Sequence, residues 1–177
     1  MKPDEMMGKK CEHPNSLLWL PRKMITLHGN ENVSEFVLHE LCHPSCFNLK
    51  KAAYFIDNPD FDCLKGVAGV SLDETANIED IWDKPEEFSI YMRQSPFNQK
   101  VRSLNRSSAK KVSVEADKEL AIDVAHELGI TNIGYCSWTS KNYNHGILVF
   151  EKGTPQEEVD KESLLNGVSL LSFCPVY

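Results

Sequence analysis

FVLHELCHPSC, residues 36–46, carries several signals that pull in different directions. His39-Glu40-Leu41-Cys42-His43 has the H-E-x-x-H spacing of a zinc hydrolase helix, Cys42 and Cys46 form a C-x3-C pair, and Pro44 stops any helix that carries them. The helix should begin just upstream. Asn32-Val33-Ser34-Glu35 has the form of a capping box, in which Asn32 accepts from the amide three residues on and Glu35 reaches back. Val33, Phe36, Val37 and Leu41 then recur at helical spacing. Pro44 ends the run, because its ring disfavours the α region at His43 and it has no amide to donate.

Outward from this helix the same order of elements occurs twice. KMITLH, 23–28, reads as a strand closed by Gly29-Asn30, and after the helix AAYFI, 52–56, and GVAGV, 66–70, read as two strands around the turn-rich DNPDFDCLK. From residue 111, KVSVEA alternates like a strand and Asp117 can cap a second helix. Leu120, Ala121, Val124, Ala125 and Leu128 form its apolar face, and Gly129 its C-terminal stop. IGYCSW, 133–138, and GILVF, 146–150, follow as strands joined by TSKNYNH. VLHEL at 37–41 stands where VAHEL stands at 124–128. The expected fold is therefore α+β, two β-α-β-β units with antiparallel hairpins and helices packed on the sheet. Residues 1–71 hold the first unit with an N-terminal extension, 72–108 a linker or helical insertion, and 109–177 the second unit with a C-terminal helix.

With 177 residues, 41% hydrophobic and 25% charged, the chain can bury a core. Its net charge of −7 argues against nucleic acid and against an anionic membrane surface, both of which need clustered Lys and Arg. The one basic run, KVRSLNRSSAKK at 100–111, reads as a solvated linker. No run of about 20 apolar residues suits a bilayer. The charged start MKPDEMMGKK is followed only by LLWL, too short for a secretory core. The expectation is a cytoplasmic protein whose six cysteines are thiols or metal ligands before they are disulfides.

The residues offer three chemistries. H-E-x-x-H would place His39 and His43 on one helical face toward zinc, with Glu40 polarising the bound water. Against it stand Pro44 at the second histidine and the second His-Glu-Leu, which ends in Gly129 without another histidine. A third ligand would come from His126, His145 or Glu127, and the spacing selects none. Cys42, Cys46 and Cys63, with His43 or His39 and with Cys11-Glu12-His13 upstream, offer three thiolates, or three thiolates and an imidazole, suited to zinc or an iron–sulfur cluster. The same thiols equally suit small buried hydrophobes. Asp57, Asp60 and Asp62 are spaced carboxylates that an Asx turn at Asn58-Pro59 accounts for more simply. Tyr143 and His145 sit in a loop open to ligand contact. No phosphate loop or nucleophile elbow is present, which leaves open whether the protein is an enzyme.

ELAIDVAHELGITNIGYCSW, 119–138, followed by HGILVFEKGTPQEEVDKES, 145–163, resembles the N-terminal region of iron–sulfur proteins related to epoxyqueuosine reductase and reductive dehalogenases. The likeness rests on Leu128-Gly129, Ile133-Gly134 and the apolar strand Ile147 to Phe150. It implies a cytoplasmic redox protein that binds a corrinoid and two 4Fe–4S clusters. The cluster-binding C-x2-C-x2-C-x3-C-P run is missing here; the chain has a single Cys174-Pro175. What the resemblance implies is thus a stand-alone or truncated N-terminal module without complete catalytic machinery, with a small molecule or corrinoid as partner. Its apolar tail LLNGVSLLSFCPVY, 164–177, would favour self-association. Beside this reading stand a Cys/His metal-binding protein, a zinc hydrolase using His39, Glu40 and His43, and a small-ligand sensor with its pocket between the two units.

Overall fold

A computed structural model describes residues 14–113 and 115–176. Among them the chain forms helices α1 (Pro14–Thr26) and α2 (Val33–Cys42), strands β1 (Leu49–Asn58) and β2 (Cys63–Ser71), and helices α3 (Leu72–Thr75), α4 (Pro85–Gln94) and α5 (Pro96–Ser103). Strand β3 (Asn105–Arg106), helix α6 (Asp117–Leu128), strands β4 (Ile133–Thr139) and β5 (His145–Lys152) and helix α7 (Lys161–Val168) complete it, with a 3-10 turn at Ser169–Phe173. The fold is α+β. Its antiparallel sheet has the order β3-β2-β1-β5-β4, so β1 and β5 are inner strands and Asp57 faces His145 across them. Among the described residues, no helix is long and apolar enough to cross a membrane.

Strand alternation divides the core into two layers. Ala52, Tyr54, Ala68, Val70, Leu148 and Phe150 meet α1, α2, α4 and α7 on one face of the sheet. Ala53, Phe55, Leu64, Ile147 and Val149 meet α5 and α6 on the other. Both expected hairpins form: β1 pairs with β2, and β4 with β5. Yet α2 and α6, the two matched helices, lie on opposite faces of one sheet.

The leading strands expected for the two units do not form. Residues 23–26 of KMITLH complete α1, where Leu20, Met24 and Leu27 stack toward the core at helical spacing. A short apolar run fits either period, and burial against α2 decides it. The described residues of 111–116 are turns, not a strand, because Asp57 at the end of β1 captures the segment just before them. Its carboxylate accepts from the Ala109 amide at 2.9 Å, the Lys110 amide at 3.2 Å and the Ser108 hydroxyl. A buried carboxylate without such donors would be costly, so it dictates the turn. Nor is KVRSLNRSSAKK a solvated linker: Val101 is fully buried on β2, and Asn105–Arg106 add an edge strand to it. Gly66 and Gly69 permit that approach, since a Cβ at Gly66 would collide with the Val101 carbonyl.

Helix α2 ends as its sequence requires, with His43 extended at φ −53° and ψ 140° ahead of Pro44. Its start departs from the capping box. Asn32 makes no side-chain cap, its Oδ1 accepting instead from the Ser89 hydroxyl of α4 at 3.0 Å. Glu35 turns away to α5, where Asn98 Nδ2 donates to it at 3.3 Å and Arg102 lies at 3.6 Å.

Candidate functional site

The H-E-x-x-H residues are separated by the helix end. His39 is buried edge-on against Phe88, with ring centroids 5.3 Å apart, and burial lowers its pKa to about 4. His43 has left the helix, and its Nδ1 pairs with Ser45 Oγ at 2.7 Å. Glu40 accepts from Trp82 Nε1 at 2.9 Å and faces Lys23 at 3.8 Å, so its carboxylate serves the packing of Trp82. His126 and Glu127 belong to α6 on the far face of the sheet, and Glu127 is paired with Arg106.

The cysteine set is likewise not assembled. Cys42 is buried in the α2 layer of the core, where burial drives its thiol far above the usual range, and Cys46 is buried in the same layer. Cys63 opens β2 near the hairpin loop and donates weakly to Asn105 Oδ1 at 3.5 Å. Among the described residues, no group of three or more His, Cys, Asp or Glu is placed to hold a metal ion. Cys11, Glu12 and His13 lie outside the described residues. Of the spaced acids, Asp57 fastens the 108–110 turn and Asn58 supplies the Asx turn, its Oδ1 accepting from the Phe61 amide at 3.1 Å. Tyr143 is exposed beside the left-handed Asn142, and His145 is paired in register with Asp57 at the start of β5.

A groove of about 1160 Å³ runs between β4 and α7. Lys152, Glu158, Lys161 and Glu162 line it, charged groups that water satisfies. Its buried nucleophile, Cys136, has its thiol pushed up to about 12 by burial, which suppresses the reactive thiolate.

A second groove, about 720 Å³, lies between the C-terminal half of α1, the turn into α2 and the C-terminal segment. Pro21, Met24, Ile25 and Val33 face Phe173 and Cys174 across it, with no Asp, Glu, Lys or Arg among the described residues of its lining. His28 and Asn30 supply the polar rim. Ile25 is 74% exposed and Phe173 68% exposed, an arrangement that leaves apolar surface in water at both walls. This is the size and character of a site that takes a small molecule.

Behind the Cys174 wall lies the first turn of α2. Burial raises the Cys174 thiol to about 11, opposed by the nearby Ser34 hydroxyl. Ser34 is 2% exposed, and its Oγ has no hydrogen-bond partner of normal strength; the protonated thiol beside it is a weak acceptor. Asn32 Nδ2, two residues earlier, is also buried and unpartnered. Farther in, burial raises the Glu35 carboxyl to about 7, opposed by its bond from Asn98 and by Arg102. The apolar tail was a visible element of this site in the sequence; the opposing wall and Ser34 were not.

Comparison with known proteins returned nothing: no family model, no curated protein and no solved structure matches this chain.

Proposed function

We propose that this protein is a small-ligand-binding module whose ligand occupies the apolar groove between α1 and the C-terminal segment. The observation that carries the reading is the uncharged lining of a groove of about 720 Å³ on a chain of net charge −7. On such a surface charged side chains would ordinarily cover apolar walls; Lys141 Nζ lies over the Phe173 ring at 5.4 Å, yet Phe173 stays 68% and Ile25 74% exposed. The site lies between α1 and the tail, not between the two helix-hairpin segments. The reading needs no catalytic group, since the buried acid Glu35 is engaged by Asn98 and Arg102.

The test is fluorescence titration with Nile red, an uncharged apolar dye. Saturable binding at one dye per chain is expected. Ile25→Asp, a change at an exposed position that should leave the fold intact, is expected to weaken it about tenfold by placing a charge in the groove. Absence of saturable binding, or full affinity in both Ile25→Asp and Phe173→Asp, would refute the proposal. Self-association through the tail is read in the same experiment. If a second copy covers the groove, dye affinity falls as protein concentration rises and sedimentation shows a dimer, and the small-ligand reading is then replaced.

A further inference from the structure

We infer that this protein forms a two-fold dimer through β4, whose open edge pairs antiparallel with the β4 of a second copy. The inference does not rest on the apolar groove, since none of that groove's described lining residues belongs to β4.

The pairing of β4 with β5 shows which of its backbone groups are free. At one end the Lys152 amide donates to Asn132 O at 3.2 Å, and at the other the Ser140 amide donates to Asn144 O at 2.7 Å. Bonded and non-bonded positions alternate along an antiparallel pair, and the register from Ile133 opposite Glu151 to Thr139 opposite His145 is unbroken. The even positions therefore face β5, and Ile133, Tyr135, Ser137 and Thr139 turn their amides and carbonyls to the open edge. β4 is the last strand of the sheet, and among the described residues none of these four has a backbone partner on that side.

The two edges of the sheet are built differently. β3 is two residues long and ends in Arg106, paired with Glu127, so it is short and charged as protected edges are. β4 runs seven residues, IGYCSWT, with no Pro, no charged side chain and no bulge in its pairing with β5. Ile133 and Tyr135 are each 38% exposed on it. Such an edge is a template for another strand.

Charge and size both point to a second copy as that strand. Chains of net charge −7 repel one another, so copies meet where charge is absent or where both signs are present. β4 carries no charge, and the wall beside it carries Lys152 and Lys161 with Glu158 and Glu162. A two-fold contact sets this patch against itself and brings opposite signs within reach. With the axis at Cys136, Tyr135 faces Ser137 of the second copy and Ile133 faces Thr139, while Gly134 faces Trp138 on the other side of the sheet. Large meets small in each pair, and about eight N–H···O bonds close the ladder.

The experiment combines sedimentation equilibrium with residue-resolved amide exchange on the full chain. A strand-edge contact is smaller than a standard interface of about 1,600 Å², so a weak dimer is expected, with a dissociation constant on the order of 50 μM. Exchange at Ile133, Tyr135, Ser137 and Thr139 should slow about fivefold between about 10 μM and about 1 mM protein, while Leu170 to Phe173 in the C-terminal segment stay unchanged. Tyr135→Lys and Ile133→Lys, each placing a charge at an exposed edge position, should weaken the dimer about tenfold or more. A chain that stays monomeric to about 1 mM overturns the inference and leaves the edge to an extended peptide of another protein. So does a dimer in which the four amides exchange as fast as in dilute solution, or one that persists undiminished in both lysine variants when circular dichroism shows them folded.

Discussion

Replacing Glu35 by Gln should expose a pH dependence that the native protein conceals. Glu35 is 2% exposed, and its carboxyl is raised from 4.5 to about 7, first of all by burial. Below pH 4.5 the folded and unfolded chains both hold the proton. Between 4.5 and about 7 the unfolded carboxyl releases it while the folded one keeps it, so stability falls as pH rises. At 1.36 kcal/mol per tenfold, the loss reaches about 3 kcal/mol above pH 7. His39 acts in the opposite sense. Burial lowers it from 6.5 to about 4, so between these values the unfolded chain takes up a proton that the folded chain refuses. Its contribution is complete above pH 6.5, and about 3 kcal/mol is lost as pH falls to 4. Over pH 4.5 to 6.5 the two slopes nearly cancel. In Glu35→Gln the His39 slope stands alone, and the stability of the variant relative to the native protein should grow by about 3 kcal/mol between pH 4.5 and 7. Urea unfolding at constant ionic strength reads this through tryptophan fluorescence, since Trp138 is stacked on Tyr54 with centroids 5.6 Å apart and Trp82 lies 5.2 Å from Phe36. A difference constant to within about 0.5 kcal/mol across that range would show that Glu35 ionises at its ordinary pH and refute the reasoning.

Two further outcomes follow from the packing. Gly66→Ala pushes a methyl group into the Val101 carbonyl and strains the bond from the Gly66 amide to Leu104 O at 2.9 Å, so urea unfolding should show a loss of about 3 kcal/mol; a loss under about 1 kcal/mol would mean that α5 does not press on β2 as described. In the native protein, iodoacetamide should modify Cys63 well before Cys42, because Cys63 is partly exposed and Cys42 is buried with its thiol strongly protonated. Mass spectrometry of the labelled peptides decides it, and early labelling of Cys42 would contradict its place in the core.

Signals that act over a few residues were legible in the sequence. Pro44 ends α2, Gly129 closes α6 in the left-handed region at φ 66°, and the apolar runs 52–56, 66–70, 133–138 and 146–150 are strands. Long-range competition was not legible. KMITLH satisfies strand and helix periods alike, and only the packing of Leu20, Met24 and Leu27 beside α2 selects the helix. Asn32 to Glu35 spells a capping box, but Asn98 and Arg102, more than sixty positions away, take the Glu. KVSVEA alternates correctly, but its described residues pair with no strand, since Asp57 has already turned the chain at Ser108 to Lys110. The groove is hidden in the sequence for the same reason. Its tail wall is apolar in plain view, while the wall opposite is invisible as long as residues 23–28 read as a strand.

Sequences that fold uniquely tend to agree at every level, and departures from local rules concentrate where something other than stability is served. Here several departures lie near the groove, while others, such as the buried and unpartnered Asp117 Oδ1 and Asn144 Oδ1, lie outside its lining. The helix start at Asn32 lacks its side-chain cap, the Ser34 hydroxyl is buried without a strong partner, and Ile25 and Phe173 leave apolar surface in water. Each would be easy to remove: an Asp for Asn32, an Ala for Ser34, a Lys for Ile25. Elsewhere comparable problems are solved, as where Asp57 gathers donors from Ser108 to Lys110 and Asn98 satisfies the Gly69 amide, the Met92 carbonyl and Glu35 together. Polar satisfaction is therefore within this fold's reach, though it is incomplete at Asp117 Oδ1 and Asn144 Oδ1 as well as at Ser34. Of these residues Ile25 and Phe173 line the groove itself, so covering their apolar surface is what the proposed ligand would do and what the Nile red titration reads.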